Sequence, residues 1–280
     1  MTQTATHDIR LPAVAGAFYP ADPRQLQAMI EGFLAEWRHR GRPVPVRGAM
    51  VPHAGLVYSG ICAASVFSRI RVPDTVVILS PNHRGIGTSP TGISLWARGA
   101  FSTPLGEVPV DADFAAELLE RCPLVHEDRT AHLPEHGIEV ELPFLQTVAP
   151  HASIVPVVLI PDAWRICLRL AEVLAEMAEA RSGRVLIFAS SDMNHFEPAT
   201  VAADKDAHAL AALEALDGEQ LLRVCHARGI SMCGRAPAAI MAEVARRLGA
   251  RQARVIDYRH SGMVSGDFDS VVGYAAAIAE

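Results

Sequence analysis

Short runs of apolar residues recur along the chain, and each has the length of a β-strand. Most of them are rich in β-branched residues and do not alternate with polar positions, which is typical of strands covered on both faces of a sheet. On this basis we predict strands at residues 48–51, 75–79, 154–160, 185–189, 255–258 and 271–277.

The segments between these runs show a helical period instead. In residues 163–180, apolar side chains return every three or four positions, with Arg and Glu between them. The same pattern predicts helices at residues 25–37, 112–119, 202–216 and 238–248, and Asp111 is placed to cap the helix that follows it.

The alternation of strands with helices predicts an α/β fold, a single domain whose mostly parallel or mixed central sheet is covered by helices. No repeat, linker or change of composition divides the chain. We therefore expect residues 11–280 to form one domain, preceded by a flexible N-terminal tail at residues 1–10.

Three of the predicted strands run into loops that carry a histidine: His53, His83 and His195. In open α/β sheets, ligands bind beyond the carboxyl ends of the strands, where such loops converge. Neutral imidazole is the commonest metal ligand and also a general base near neutral pH. A single histidine in such a loop could be purely structural, but three in equivalent places predict one shared site.

Cys233 is the second strong signal, because it directly precedes the Ala-rich helix predicted from residue 238. The positive end of a helix dipole favours thiolate, which is both a metal ligand and a nucleophile. The other cysteines carry no evident chemistry: Cys62, Cys167 and Cys225 lie in apolar helical patterns and are expected in the core, and Cys122 precedes a proline.

Two further groups are candidates for catalysis. His136 and Glu139 are three positions apart and would share one face of a helix, a spacing that suits a paired site. The alternative is a solvated helix start in which Glu135 and Glu139 are favoured by the dipole. Asp192 could orient the imidazole of His195 by a hydrogen bond, or cap the turn that follows it.

Composition excludes several classes of function. The formal charge of −6 and the pI of about 6.1 argue against a protein that binds nucleic acid through its phosphates. No run of apolar residues is long enough to span a membrane, and residues 1–10 lack the apolar core of a secretory signal. Because five cysteines without a pairing pattern also fit a reducing compartment, we expect a cytoplasmic protein.

Taken in order, a set of motifs resembles the Memo family, the protein B component of the AmmeMemoRadiSam system. The resemblance covers nearly the whole chain and is carried by AGAFYP at residues 15–20, PHAG at 52–55, YSG at 58–60, PNH at 81–83, EH at 135–136, IEV at 138–140, LPF at 142–144, SSD at 190–192, CG at 233–234, SGD at 265–267 and VGY at 272–274. The chain departs from the family pattern at Leu56, Gly137, Asn194, Phe196 and Ala236, positions that bear on the shape of the pocket rather than on the ligands.

The resemblance implies a fold similar to that of class III extradiol dioxygenases, which are non-haem iron enzymes. It implies that His53, His83 and Cys233 are metal ligands, with His195 at the position of the dioxygenase base and Asp192 beside it. It also implies working partners, namely a radical-SAM protein and the other small component of the system.

Two imidazoles and a thiolate leave positions open on a divalent metal, as a catalytic site requires. The leading hypothesis is a metal-dependent redox enzyme, dioxygenase-like, that acts on an unidentified small molecule or peptide, with Fe(II) favoured and Cu or Zn as other candidates. The same residues would also serve a zinc- or cysteine-dependent hydrolase. A third possibility is a non-catalytic, metal-stabilised module that binds a peptide or protein.

Overall fold

The computed structural model describes residues 8–38 and 42–280 of the chain. Within them, the strands are β1 (Ile9–Arg10), β2 (Gly48–Val51), β3 (Thr75–Pro81), β4 (Ile93–Leu95), β5 (Ala100–Thr103), β6 (Gly106–Pro109), β7 (His126–Glu127), β8 (Ser153–Leu159), β9 (Val185–Ser190), β10 (His195–Glu197), β11 (Ala253–His260) and β12 (Val271–Ala279). The helices are α1 (Pro23–Ala35), α2 (Leu56–Phe67), α3 (Ala112–Arg121), α4 (Leu142–Val148), α5 (Trp164–Ala180), α6 (Ala199–Glu214), α7 (Gly218–Arg228), α8 (Arg235–Arg247) and α9 (Gly262–Ser265), with a 3-10 turn at Glu139–Glu141.

A large mixed sheet organises the domain and confirms the predicted fold class. Its strands lie in the order β10-β12-β2-β9-β3-β8-β4-β7, and β11 pairs with β12. The central strands β2, β9, β3 and β8 are parallel, so their carboxyl ends meet at one edge. β12 and β4 run antiparallel to their central neighbours, which makes the sheet mixed.

The central strands are apolar throughout because helices cover both faces of the sheet. In β3, Val77 contributes to the apolar cluster that packs under α5 and α8, whereas Val76 and Ile78 contribute to the cluster under α2 and α4. Successive side chains of a strand point to opposite faces, so a strand buried on both faces needs an unbroken apolar run.

Each predicted strand and helix is present, with its ends displaced by at most three residues. Asp111 caps α3 as expected, because its side chain accepts a hydrogen bond from the backbone N–H of Phe114 at 3.0 Å. The helix α2, which contains Cys62, was not among the helices predicted from the sequence. Nine of its 12 residues are buried, so it has no continuous polar face that could reveal a helical period.

The N-terminal boundary needs a correction. β1 pairs in parallel with β5, and the side chain of Arg10 is fully buried. Ile9 and Arg10 therefore belong to the folded domain instead of extending the predicted tail to residue 10. Residues 1–7 of that predicted tail lie outside the described part of the chain. None of the helices described here is both long and apolar enough to cross a membrane.

Candidate metal centre

The parallel strands bring the predicted histidine loops together. His53 lies two residues beyond the end of β2, and His83 lies two residues beyond the end of β3. Since β9 separates these two strands, the loops reach over its end from both sides. The Nε2 atoms of His53 and His83 approach to 3.3 Å, with the two rings edge to face. The predicted convergence of these two histidines is thus present in the structure.

The tautomer of His53 follows from its hydrogen bonds. Its Nδ1 lies 2.6 Å from the Oγ of Ser190, and that hydroxyl donates its only proton to the carbonyl of Gly137 at 2.7 Å. Ser190 must therefore accept from Nδ1–H of His53, which leaves the Nε2 lone pair facing the site. Burial, with a further contribution from His83, lowers the pKa of His53 to about 3, so the ring is neutral near pH 7.

His83 is oriented in the same way by a carboxylate. Its Nδ1 lies 2.7 Å from Oε1 of Glu135, and its backbone N–H donates to the other oxygen at 2.8 Å. Burial alone would raise the pKa of Glu135, but the hydrogen bond and electrostatic influence of His83, followed by the influence of His136 and the backbone N–H of Gly137, lower it to about 2. The ionised carboxylate accepts Nδ1–H, which turns Nε2 of His83 toward the site.

The Nε2 atoms of His53 and His83 face each other at 3.3 Å, close enough for one cation to lie against both. Each ring is held in place on its far side, His53 by Ser190 and His83 by Glu135. This is the arrangement in which proteins orient histidines for metal binding. The residues present therefore fit a divalent metal ion.

Cys233 adds a sulfur donor to this pair. Its Sγ lies 3.3 Å from Nε2 of His53 and accepts a hydrogen bond from the backbone N–H of Asp192 at 3.2 Å. The helix dipole was expected to favour thiolate, but burial and the nearby Asp192 raise the pKa of Cys233 in the metal-free protein. Cys233 directly precedes Gly234, the N-cap of α8. The cost of burying a charged thiolate at this position outweighs the stabilisation that the helix dipole provides. A bound cation would reverse this balance and deprotonate the thiol.

His136 joins the two metal-facing histidines. Its ring stacks on that of His83 with centroids 4.4 Å apart, and one ring nitrogen of each of His53, His83 and His136 lies within 4.8 Å of the others. Burial, followed by the influence of His53, lowers the pKa of His136 to about 4, so its lone pair is available near pH 7. These three histidines form a group that could hold a metal ion.

Glu139 is not part of this group. The helical turn begins only at Glu139, so His136 lies in the preceding loop and the two residues do not share a helix face, contrary to the predicted pairing. The Glu139 carboxylate is buried and accepts hydrogen bonds from Arg10 and Tyr19, on the side of the N-terminal segment.

Asp192 and His195 are also near the site, in arrangements the sequence did not predict. Oδ1 of Asp192 accepts from the backbone N–H groups of His53 at 2.8 Å and Ala54 at 3.3 Å, so it fixes the loop after β2. His195 begins β10, and its Nδ1 lies 3.0 Å from the carbonyl of Ser231. A carbonyl only accepts, so Nδ1 of His195 carries a proton and its Nε2 points away from this contact.

Sequence reasoning missed Glu135 and Ser190 as residues that orient the ligands. Glu135 was noted only as a residue favoured at a helix start, and Ser190 only as part of the SSD motif. The sequence did contain a signal for each, because Ser190 is a polar residue at the end of a strand and Glu135 stands beside a histidine. Their partners, however, are 52 and 137 positions away in the chain.

Comparisons with known proteins find relatives that match nearly the whole chain. The family described as Memo-like protein matches residues 10–278. A MEMO1 family protein of Methanopyrus kandleri is 38% identical, covering 96% of this chain and 98% of its own length. Those of Methanocaldococcus jannaschii and Aquifex aeolicus are 39% and 37% identical, over 97% and 96% of this chain and 99% and 98% of their own lengths.

The chain therefore belongs to the Memo family. Among solved structures, an uncharacterized protein from Escherichia coli K12 superposes with a TM-score of 0.51 at 17% identity. The match covers 82% of this chain and 99% of the other, and it supports the fold alone.

Proposed function

We propose that this protein is a metal-dependent redox enzyme, dioxygenase-like, whose metal is held by His53, His83 and Cys233, with Fe(II) favoured. The observation that carries the proposal is the pair of facing Nε2 atoms of His53 and His83, 3.3 Å apart, with the Cys233 sulfur 3.3 Å from that of His53. Two histidines and one anionic ligand make up the open facial set of non-haem iron oxygenases, and a thiolate supplies the anion here.

When bound, an iron or copper ion at this site supplies redox chemistry and open positions for substrate. The chain supplies the rest. Ser190 and Glu135 hold the two imidazoles with Nε2 toward the centre, and the neutral ring of His136 adds a third nitrogen. His195, whose Nδ1 is held by the carbonyl of Ser231 and whose side chain is only partly buried, is placed to exchange a proton with a substrate through Nε2.

We further propose that the substrate is a small molecule or peptide, and that a radical-SAM protein and the other small AmmeMemoRadiSam component are working partners. The family assignment supports this part of the proposal. The free cysteines, found at five positions, support a reducing, cytoplasmic environment.

A zinc-dependent hydrolase is the second candidate, and the three-histidine group favours it. A set of three histidines with an open fourth position is one of the known forms of catalytic zinc site. Direct nucleophilic attack by Cys233 is disfavoured, because burial raises the pKa of its thiol.

The metal content of the purified protein distinguishes the redox enzyme from the zinc-dependent hydrolase. Protein purified anaerobically without chelator is analysed for bound metal and its oxidation state, as wild type, Cys233→Ala and Cys225→Ala. The last is a matched control, since Cys225 is a buried thiol in α7 and does not belong to the group formed by His53, His83 and His136. Stoichiometric iron or copper in wild type and the control, but lost in Cys233→Ala, is the expected result. Stoichiometric zinc that survives Cys233→Ala would favour the hydrolase, and no uptake of any metal would refute both.

A further inference from the structure

We infer that three buried side chains position the metal ligands by holding residues 132–139, here termed the histidine loop, in place. These side chains are Arg10, Tyr19 and Glu139, here termed the N-terminal clamp. Glu139 is the last residue of the loop, and the two others hold it from the N-terminal segment. The inference rests on the proposed function, because it concerns the geometry of the same metal centre. The clamp residues are positioning residues: they act on the ligands through the histidine loop and not by contact with the metal.

Arg10 forms one side of the clamp. Its guanidinium is fully buried, and Nε donates to the carbonyl of His132 at 3.1 Å. Its terminal nitrogens donate to the carbonyl of Glu135 and to the carboxylate of Glu139. The planar guanidinium presents its donors in fixed directions, so one side chain fixes the start, middle and end of the histidine loop relative to β1.

Glu139 forms the other side. Its two carboxylate oxygens accept from the backbone N–H groups of Ala13 at 2.7 Å and Val14 at 3.0 Å, and from the hydroxyl of Tyr19. Burial and the adjacent carboxylate raise the pKa of Tyr19, so its hydroxyl remains a donor. The end of the histidine loop is thereby tied to the N-terminal segment at several points.

The clamp reaches the metal ligands through Glu135. Arg10 binds the carbonyl of Glu135, while the carboxylate of the same residue accepts from Nδ1 and the backbone N–H of His83. That carboxylate also accepts from the backbone N–H of Gly137 at 2.9 Å, and the Gly137 carbonyl receives the hydroxyl of Ser190 that orients His53. A shift of the histidine loop therefore disturbs the partners of both imidazoles.

The N-terminal segment also touches the third histidine. The ring of Phe18 lies 4.8 Å from that of His136, and the Phe18 carbonyl accepts from the backbone N–H of Leu56, where α2 begins. Residues 10–19 thus contact the histidine loop in two ways: through the hydrogen bonds of the clamp, and through the ring of Phe18 against that of His136. This segment therefore lines one side of the metal centre.

The test compares two changes of equal chemistry. Tyr19→Phe removes a buried hydroxyl that donates to the carboxylate of Glu139, and Tyr258→Phe removes a half-buried hydroxyl that donates to Asp206 at 2.7 Å, outside the histidine loop. Cobalt(II) affinity and the cobalt absorption spectrum are measured alongside the melting temperature. Tyr19→Phe is expected to weaken cobalt binding about 10-fold and to change the spectrum, with Tyr258→Phe within about 2-fold of wild type at a similar loss of melting temperature.

Arg10→Lys is the stronger variant, because an ammonium cannot reproduce the planar set of donors. We expect it to weaken cobalt binding about 100-fold. In the metal-free protein, ¹⁵N spectra of the histidine rings should show His83 as a single Nδ1–H tautomer in wild type and Tyr258→Phe, and as a mixture in Arg10→Lys.

The outcomes are separable. If wild type binds no cobalt but Arg10→Lys disturbs the His83 tautomer, the proposed function fails and the clamp stands. If wild type binds cobalt and both Tyr19→Phe and Arg10→Lys match Tyr258→Phe in affinity, spectrum and tautomer, the clamp is refuted while the proposed function survives. Should Arg10→Lys fail to fold, the comparison of Tyr19→Phe with Tyr258→Phe decides alone.

Discussion

His132 is expected to make the metal-free protein lose stability as the pH falls below neutrality. Its ring is almost completely buried beside Trp96 and Phe101, and Nε2 donates to the carbonyl of Ser94 at 3.1 Å. Burial, with a further contribution from the positive charge of Arg10, lowers the pKa of His132 from 6.5 to about 4. Between these two pKa values, His132 therefore binds a proton in the unfolded chain but not in the folded protein.

The sign and size follow from linkage. Between the unfolded pKa of 6.5 and the folded value near 4, the unfolded state binds more protons, so the free energy of unfolding decreases as the pH falls through that window. The stabilisation is complete above the upper value. Going from about pH 7 to about pH 5 should remove roughly 2 kcal/mol for this one histidine.

The assay is urea unfolding in the presence of a chelator at both pH values, for wild type and His132→Gln. Glutamine keeps a donor near the position of Nε2 but does not titrate, so the variant should lose about 2 kcal/mol less than wild type over the interval. His151→Gln is the control, because His151 is exposed, and it should behave as wild type. If His132→Gln lost as much stability as wild type, burial of a neutral His132 would not be the cause.

Three further substitutions test individual contacts. Glu135→Gln removes the carboxylate that fixes His83 and should lower metal affinity about 10- to 100-fold in a chelator competition; unchanged affinity would contradict its orienting role. Ser190→Ala removes the acceptor for Nδ1 of His53 and should weaken binding to a similar extent by calorimetry, which a wild-type value would disprove. Gly32→Ala lies on the exposed side of α1 with nothing within 4 Å of the added Cβ, and should stabilise the protein by about 0.5–1 kcal/mol in thermal unfolding; a loss would show that α1 packs differently.

The sequence was sufficient to predict the meeting of His53 and His83, and the reason is topological. Unbroken apolar runs indicate strands covered on both faces, and the carboxyl ends of adjacent parallel strands lie at one edge. Loops that follow such strands in the sequence are therefore expected at the same edge of the sheet. The spacing of His136 and Glu139 did not carry over, because it assumed a helix that begins only at Glu139.

The orienting contacts could not be predicted, because they depend on distances between parts of the chain that no local pattern relates. Asp192 was considered only against residues close to it in the sequence, yet its carboxylate accepts from the backbone of His53, 139 positions away. Arg10 was assigned to a tail by its position near the terminus, although its side chain is fully buried. In both residues, the partner that determines the role lies on another element.

Cys233 shows most clearly how a local rule and the folded environment can disagree, and the disagreement distinguishes the two possible ligand sets. Burial keeps the Cys233 thiol protonated in the absence of metal, and burial keeps His53 neutral. Near pH 8, above the usual pKa of histidine, metal binding through His53, His83 and Cys233 should therefore release about one proton, which comes from the thiol. Calorimetry in buffers of different ionisation enthalpy measures that proton directly, and Cys233→Ala should release none. Metal binding by wild type without proton release would exclude the thiol as a ligand and assign the metal to the three histidines.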